Sequence, residues 1–144
     1  MQDASERLDV GAAGSARETA GEETLASRYG SGTLEVYSTP AMIALMEAAS
    51  MDAVGQSLPE GWTTVGISLD VRHVDATPPG MEVVAEAELR AIEGLRLIFD
   101  VRARDEVSPI GAGTHQRYCV EIDSFMDRCG EKARGAGADA REGR

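Results

Sequence analysis

Three side chains in this sequence could do chemistry together: the hydroxyl of Thr39, the carboxylate of Glu47 and the imidazole of His73. Glu47 stands out first. It is the one carboxylate in Pro40-Ala41-Met42-Ile43-Ala44-Leu45-Met46-Glu47-Ala48-Ala49-Ser50-Met51, a run of mostly apolar, good helix formers. A helix apolar on every side belongs inside something, and this one is too short to cross a bilayer. A carboxylate in such a place is costly unless it is paired, protonated or used. As a rim residue it would be solvated or salt-bridged. As a functional one, it would be a desolvated general base or a nucleophile toward a carbonyl.

Thr39 precedes Pro40, which suits a first helical turn because its missing N–H is one that a helix start leaves unpaired anyway. The spacing therefore predicts Thr39 at the N-cap, beside free amides and the positive dipole end, where a carbonyl oxygen gaining charge would be stabilised. His73 ends a run in which Val65, Ile67, Leu69 and Val71 alternate with polar residues, so parity places it on their side, at the edge of the core. It reads either as a satisfied core-edge histidine or as a proton carrier. Thr39 and Glu47 are eight residues apart, about 12 Å along one helix. One carbonyl could meet both more easily across a two-fold axis, so the expectation is a homodimer, or a higher homo-oligomer, with composite sites.

These residues need a scaffold, and the rest of the chain supplies one. At 144 residues it fits one domain with a real core. With 42% apolar but only 4% aromatic residues, that core must rest on aliphatic side chains. A formal charge of −11 argues against nucleic acid or an anionic membrane as partner. Cys119 and Cys129, with no signal-peptide pattern ahead of them, suggest a reduced, cytoplasmic protein. Cys119 reads as inert packing. Neither cysteine has histidines at ligand spacing, and no metal site is expected.

In order, residues 1–13 read as a flexible N-terminus, followed by an edge strand near Gly14–Glu22 and a loop at 26–32. The core helix runs to about Gln56. Strand-like alternation then covers Thr63–Asp75, Met81–Ile92, Leu95–Arg104 and Thr114–Ile122, with a tight turn at Glu93-Gly94. The last strand is read with Tyr118, Val120 and Ile122 inward and His115, Arg117 and Cys119 outward. Arg117 is then a solvated residue, or one that could meet a phosphate. Gly111-Ala112-Gly113 reads as a bend or bulge. Residues 14–126 form the domain, and 127–144 are expected to be disordered. One apolar helix followed by antiparallel strands gives an α+β class, a sheet curled around the helix.

Three stretches carry a family resemblance. Val36-Tyr37-Ser38-Thr39-Pro40-Ala41-Met42-Ile43-Ala44-Leu45-Met46-Glu47, then Arg72-His73-Val74-Asp75-Ala76-Thr77-Pro78-Pro79-Gly80, then Ile110-Gly111-Ala112-Gly113-Thr114-His115-Gln116-Arg117 resemble the hot-dog-fold thioesterases of the fluoroacetyl-CoA thioesterase type. The similarity runs in register from about Gly32 to Phe125. It implies the hot-dog fold, an antiparallel sheet wrapped around a central helix, dimerising with active sites at the interface. It also implies hydrolysis of an acyl-CoA thioester, with no cofactor beyond the coenzyme A of the substrate. The family's catalytic Thr, Glu and His fall on Thr39, Glu47 and His73; its glycine near the thioester falls on Gly66; an arginine that could contact coenzyme A falls on Arg117. One position departs: where the fluoroacetyl enzyme has a lid phenylalanine, this chain has Thr33, which points to a general short-acyl substrate. Two other classes use the same fold, an acyl-thioester hydratase or dehydratase and a non-catalytic acyl-CoA or small-molecule binding protein.

Overall fold

Strict alternation places every second side chain on one face of a strand, and the alternating runs are the strands observed. The computed structural model describes residues 4–142. Its strands are β1 (Ala13–Thr19), β2 (Trp62–His73), β3 (Glu82–Glu93), β4 (Arg96–Arg104) and β5 (Pro109–Glu121). They form one antiparallel sheet in the order β1-β3-β4-β5-β2. The β3–β4 hairpin turns on Gly94-Leu95, with Gly94 at φ +64°, a conformation that costs glycine little. β2 does not pair with β3, the next strand in the chain. It crosses to the far edge and pairs with β5.

The helices are α1 (Ala26–Tyr29), α2 (Thr39–Val54) and α3 (Ile122–Glu142). α2 lies over β1, β3 and β4, burying Met42, Leu45, Met46 and Ala49 in one cluster with Val83, Leu89, Leu97 and Phe99. Each large side chain sequestered this way contributes about 1.5–3 kcal/mol. At Gly14 the helix rests directly on β1: a Cβ there would lie 2.4 Å from the Ala49 carbonyl oxygen and 2.3 Å from the Ala53 nitrogen. The result is the α+β arrangement expected, a sheet curled around one central helix.

Four expectations change. α2 is not covered all round, because it spans only part of the sheet: Ala44 and Ala48 are exposed and Met51 is 45% exposed. In β2 the register shifts between Gly66 and Ser68, and a bulge of one residue reverses parity. Thr64 and Gly66 therefore share a face with Leu69, Val71 and His73, while Val65 stands opposite the outward Tyr118. In β5 the faces are the reverse of those expected. His115, Arg117 and Cys119 are buried and Tyr118 is 39% exposed, because the inner surface here carries the polar groups of a site; Val120, on the side of Tyr118, is buried as expected of it.

The fourth change concerns the ends. Of residues 127–144, read as disordered, those up to 142 lie on α3, and the last two fall outside the described residues. Alanine, arginine and glutamate favour a helix there, against the cost of Gly130, Gly135 and Gly137. Residues 1–3 of the arm expected to be flexible also fall outside the described residues. Ala4 and Leu8 of that arm are buried, and the Ser5 hydroxyl donates to the Gly94 carbonyl at 2.6 Å.

Candidate active site

The start of α2 is set one residue earlier than the spacing predicts. Ser38, not Thr39, is the N-cap, its hydroxyl oxygen accepting from the Ala41 amide at 3.1 Å. The shift matters chemically: it frees the Thr39 hydroxyl, which lies 2.7 Å from Nδ1 of His73. With His73 neutral, the hydroxyl can donate to that nitrogen, the geometry of a hydroxyl beside a base. Nε2 of His73 is buried and makes no hydrogen bond among the described residues. Burial pushes the imidazole below its ordinary value of 6.5, opposed by the backbone and carboxylate of Asp75, so the neutral form is favoured.

Around this pair lies a cavity of about 310 Å³, walled by Ala26, Ser31, the approach Val36–Thr39 and His73–Ala76. Its walls are held from outside. The buried Tyr37 donates its hydroxyl to Glu18 of β1 at 2.5 Å and its amide to the Thr77 carbonyl at 2.9 Å; burial beside that carboxylate raises the phenol well above its usual range. Thr77 donates to Asp105, which also accepts from the Val107 and Ser108 amides. Burial pushes the Asp105 carboxyl up, but those three donors outweigh it and hold the group below the ordinary carboxylate value.

Glu47 belongs to a second cluster. Its Oε2 is 3.3 Å from Nη1 of Arg117, and its side chain keeps 38% of its exposure while that of Arg117 keeps 5%. The acid is thus paired and half open, not sequestered among apolar groups as the sequence suggests. Arg117 is inward, and not on the outward face predicted for it. Its Nε donates to Thr64 Oγ1 at 2.8 Å, its Nη2 to the Thr64 carbonyl at 2.9 Å, and its Nη1 also meets Nε2 of His115 at 3.1 Å. Burial lowers its pKa and the Glu47 carboxylate raises it; a guanidinium stays charged in such a place.

Gly66 is the floor of this cluster. A Cβ there would be 2.9 Å from Glu47 Oε2, 3.2 Å from His115 Cε1 and 3.4 Å from Arg117 Nη1. The five predicted residues therefore fall into two groups, Thr39 with His73 and Glu47 with Gly66 and Arg117. Thr64 and His115 were missed. The signal for His115 was the Thr-His-Gln-Arg motif, in which His115 and Arg117 must share a face; Thr64 carried none, because only the bulge puts it on the inner face. Among the described residues no group of three or more His, Cys, Asp or Glu side chains could hold a metal ion, and no helix is long and apolar enough to cross a membrane.

Comparison with known proteins gives the family of the chain. The family model for fluoroacetyl-CoA-specific thioesterase, FlK, matches residues 20–123. The fluoroacetyl-CoA thioesterase of Streptantibioticus cattleyicolor is 41% identical over 98 residues, 68% of this chain and 70% of that protein. The solved structure of the fluoroacetyl-CoA thioesterase FlK superposes with a TM-score of 0.81 at 33% identity, over 87% of this chain and 97% of that one. A threonine-to-serine variant of FlK in complex with acetyl-CoA gives 0.82 at 32% identity, over 87% and 98%. A hot-dog-like protein from Thermanaerovibrio acidaminovorans, 23% identical, matches in fold alone with a TM-score of 0.81 over 91% and 97%. The chain has the hot-dog fold, belongs to the fluoroacetyl-CoA-specific thioesterase family and is a thioester hydrolase.

Proposed function

We propose that this enzyme hydrolyses the thioester of a short-acyl coenzyme A to the free acid and coenzyme A, through Thr39, Glu47 and His73. The observation that carries the reading is the 2.7 Å contact between the Thr39 hydroxyl and His73 at the wall of the cavity, where α2 begins. At that end Pro40 has no N–H, and the Ala41 and Met42 amides are taken by Ser38. With the Thr39 hydroxyl donating to His73, the donor left to polarise a thioester carbonyl is the Thr39 amide. Gly66 and Arg117 hold the carboxylate of Glu47 in place, and Arg117 acts as its counterion. That role differs from the coenzyme A contact expected of the arginine, since the guanidinium is 5% exposed and already bonded on three sides.

Two routes conserve the same atoms. In one, a Glu47 oxygen attacks the carbonyl carbon, the C–S bond breaks and coenzyme A leaves as thiolate; water then cleaves the mixed anhydride. In the other, Glu47 takes a proton from water as the water oxygen bonds to the carbonyl carbon, the C–S bond breaks and coenzyme A again leaves as thiolate, with His73 orienting the attacking group. Oxygen-18 incorporation into Glu47 in a single turnover separates them. The substrate class rests on the fluoroacetyl and acetyl groups of the relatives' ligands together with Thr33, which stands where a lid phenylalanine would be. No cofactor is needed, since coenzyme A enters with the substrate.

A homodimer completes the site in this reading. Ala44, Glu47, Ala48 and Met51 form a stripe left uncovered on α2, and Ile67 and Leu69 of the edge strand β2 are 48% and 40% exposed. An open strand edge beside an apolar stripe is a surface for a second copy. The dimer would set Glu47 of one chain toward Thr39 and His73 of the other. A cytoplasmic setting fits the exposed thiol of Cys129. The test is thiol release from a panel of short, branched and aromatic acyl-CoAs, with light scattering for the assembly. Glu47→Gln should lower turnover of every thioester accepted by about 1000-fold, to a measurable residual rate; near-normal hydrolysis by that variant refutes the proposal.

A further inference from the structure

We infer that His115 is a positioning residue, held as the neutral tautomer protonated at Nδ1, which aims Arg117 at Glu47. This rests on the reading that Glu47 does the chemistry. His115 is fully buried, its ring stacked on Phe99 with centroids 6.4 Å apart. Its Nδ1 lies 2.9 Å from the Ser68 carbonyl oxygen, which can only accept, so Nδ1 carries the proton. Its Nε2 lies 3.1 Å from Nη1 of Arg117, which can only donate, so Nε2 must present a lone pair. The two partners together allow one protonation state. A second proton would set two donors and two positive charges against each other.

The consequence runs through Arg117. Nη1 carries two hydrogens: one meets His115 Nε2 and the other meets Glu47 Oε2 at 3.3 Å. Nε and Nη2 are fixed by Thr64 alone. His115 is therefore the third acceptor on the planar guanidinium and the one at the Nη1 end: it takes one Nη1 hydrogen and steadies that end while the other hydrogen faces the half-exposed carboxylate. Such an arrangement, a buried neutral base turning a counterion toward a reactive acid, is a polar network in which each member has a partner.

The tautomer is read by nitrogen-15 spectroscopy of histidine-labelled protein. The chain has only two histidines, and the spectrum of His115→Gln assigns them. His115 should show protonated Nδ1 and bare Nε2 at neutral pH; the opposite tautomer or an imidazolium overturns the inference. With acetyl-CoA as substrate, His115→Leu should lower kcat about 30-fold, the effect of a displaced reacting group, and change KM by less than about 3-fold. His115→Gln, whose amide oxygen can replace the Nε2 acceptor, should recover to within about 5-fold of wild type. His115→Asn keeps a donor for Ser68 but loses that acceptor, and should fall with leucine, which separates positioning from folding. In a Glu47→Gln background, His115→Leu should add less than about 2-fold, since the two act as a unit. Equal activity of the leucine and glutamine variants, or additive losses, refutes the role of His115. Full activity of Glu47→Gln alone refutes the proposed function instead, leaving the tautomer to be judged by its spectrum.

Discussion

Gly66→Ala separates geometry from stability in this enzyme. The added Cβ would stand 2.9 Å from Glu47 Oε2, so the oxygen must retreat by about 0.5 Å to reach ordinary contact. The Oε2–Nη1 distance is already 3.3 Å, and that retreat takes it past the range of a hydrogen bond. The His115 ring, fully buried with its Cε1 3.2 Å from the same Cβ, can give only a few tenths of an ångström, so the carboxylate takes most of the displacement. A displacement of 1 Å in a reacting group costs about 100-fold, so half of that predicts a loss in kcat of about 10-fold. Stability should change by no more than about 1 kcal/mol, because Gly66 does not use a positive φ and alanine restricts the unfolded chain. Thiol release at saturating acetyl-CoA and a thermal melt measure the two quantities. Wild-type turnover in a folded Gly66→Ala protein would refute the reasoning. So would a fall in Tm large enough to account for the lost activity.

Acidification should destabilise the fold through its histidines. Burial lowers both His73 and His115 below 6.5, so the unfolded chain binds their protons first. Stability should then be level above about pH 6.5 and decline as pH falls below it. Urea midpoints that do not move between pH 7.5 and 5.5 would contradict this, and His115→Gln should remove part of the decline. Asp105→Ala strips an acceptor from Thr77 and from the Val107 and Ser108 amides, and urea denaturation should show a loss of about 3 kcal/mol. Gly14→Val brings side-chain atoms onto the backbone of α2 at Ala49 and Ala53; the helix must lift from β1, at a cost of about 3 kcal/mol by the same measurement.

The elements and the candidate chemistry were legible in the residues. A proline opening an apolar run marks α2, and period-2 alternation marks four of the five strands, because both signals arise within a few residues of chain. Glu47 announced itself as a charge in a run of aliphatic residues, and the motifs around Thr39, His73 and Arg117 pointed to the family. What the tertiary structure decided is which face and which partner. Alternation divides β5 into two faces but cannot say that the face with His115 and Arg117 is the inner one, since that depends on the carboxylate brought opposite it from α2. Nor can it reveal the bulge that turns Thr64 and Gly66 inward, or the crossing that lays β2 against β5. Register and neighbour are settled by contacts between residues far apart in the chain. The pairing of Glu47 with Arg117, 70 residues apart, is of that kind: the sequence supplied an anomalous acid, and the folded sheet supplied its counterion.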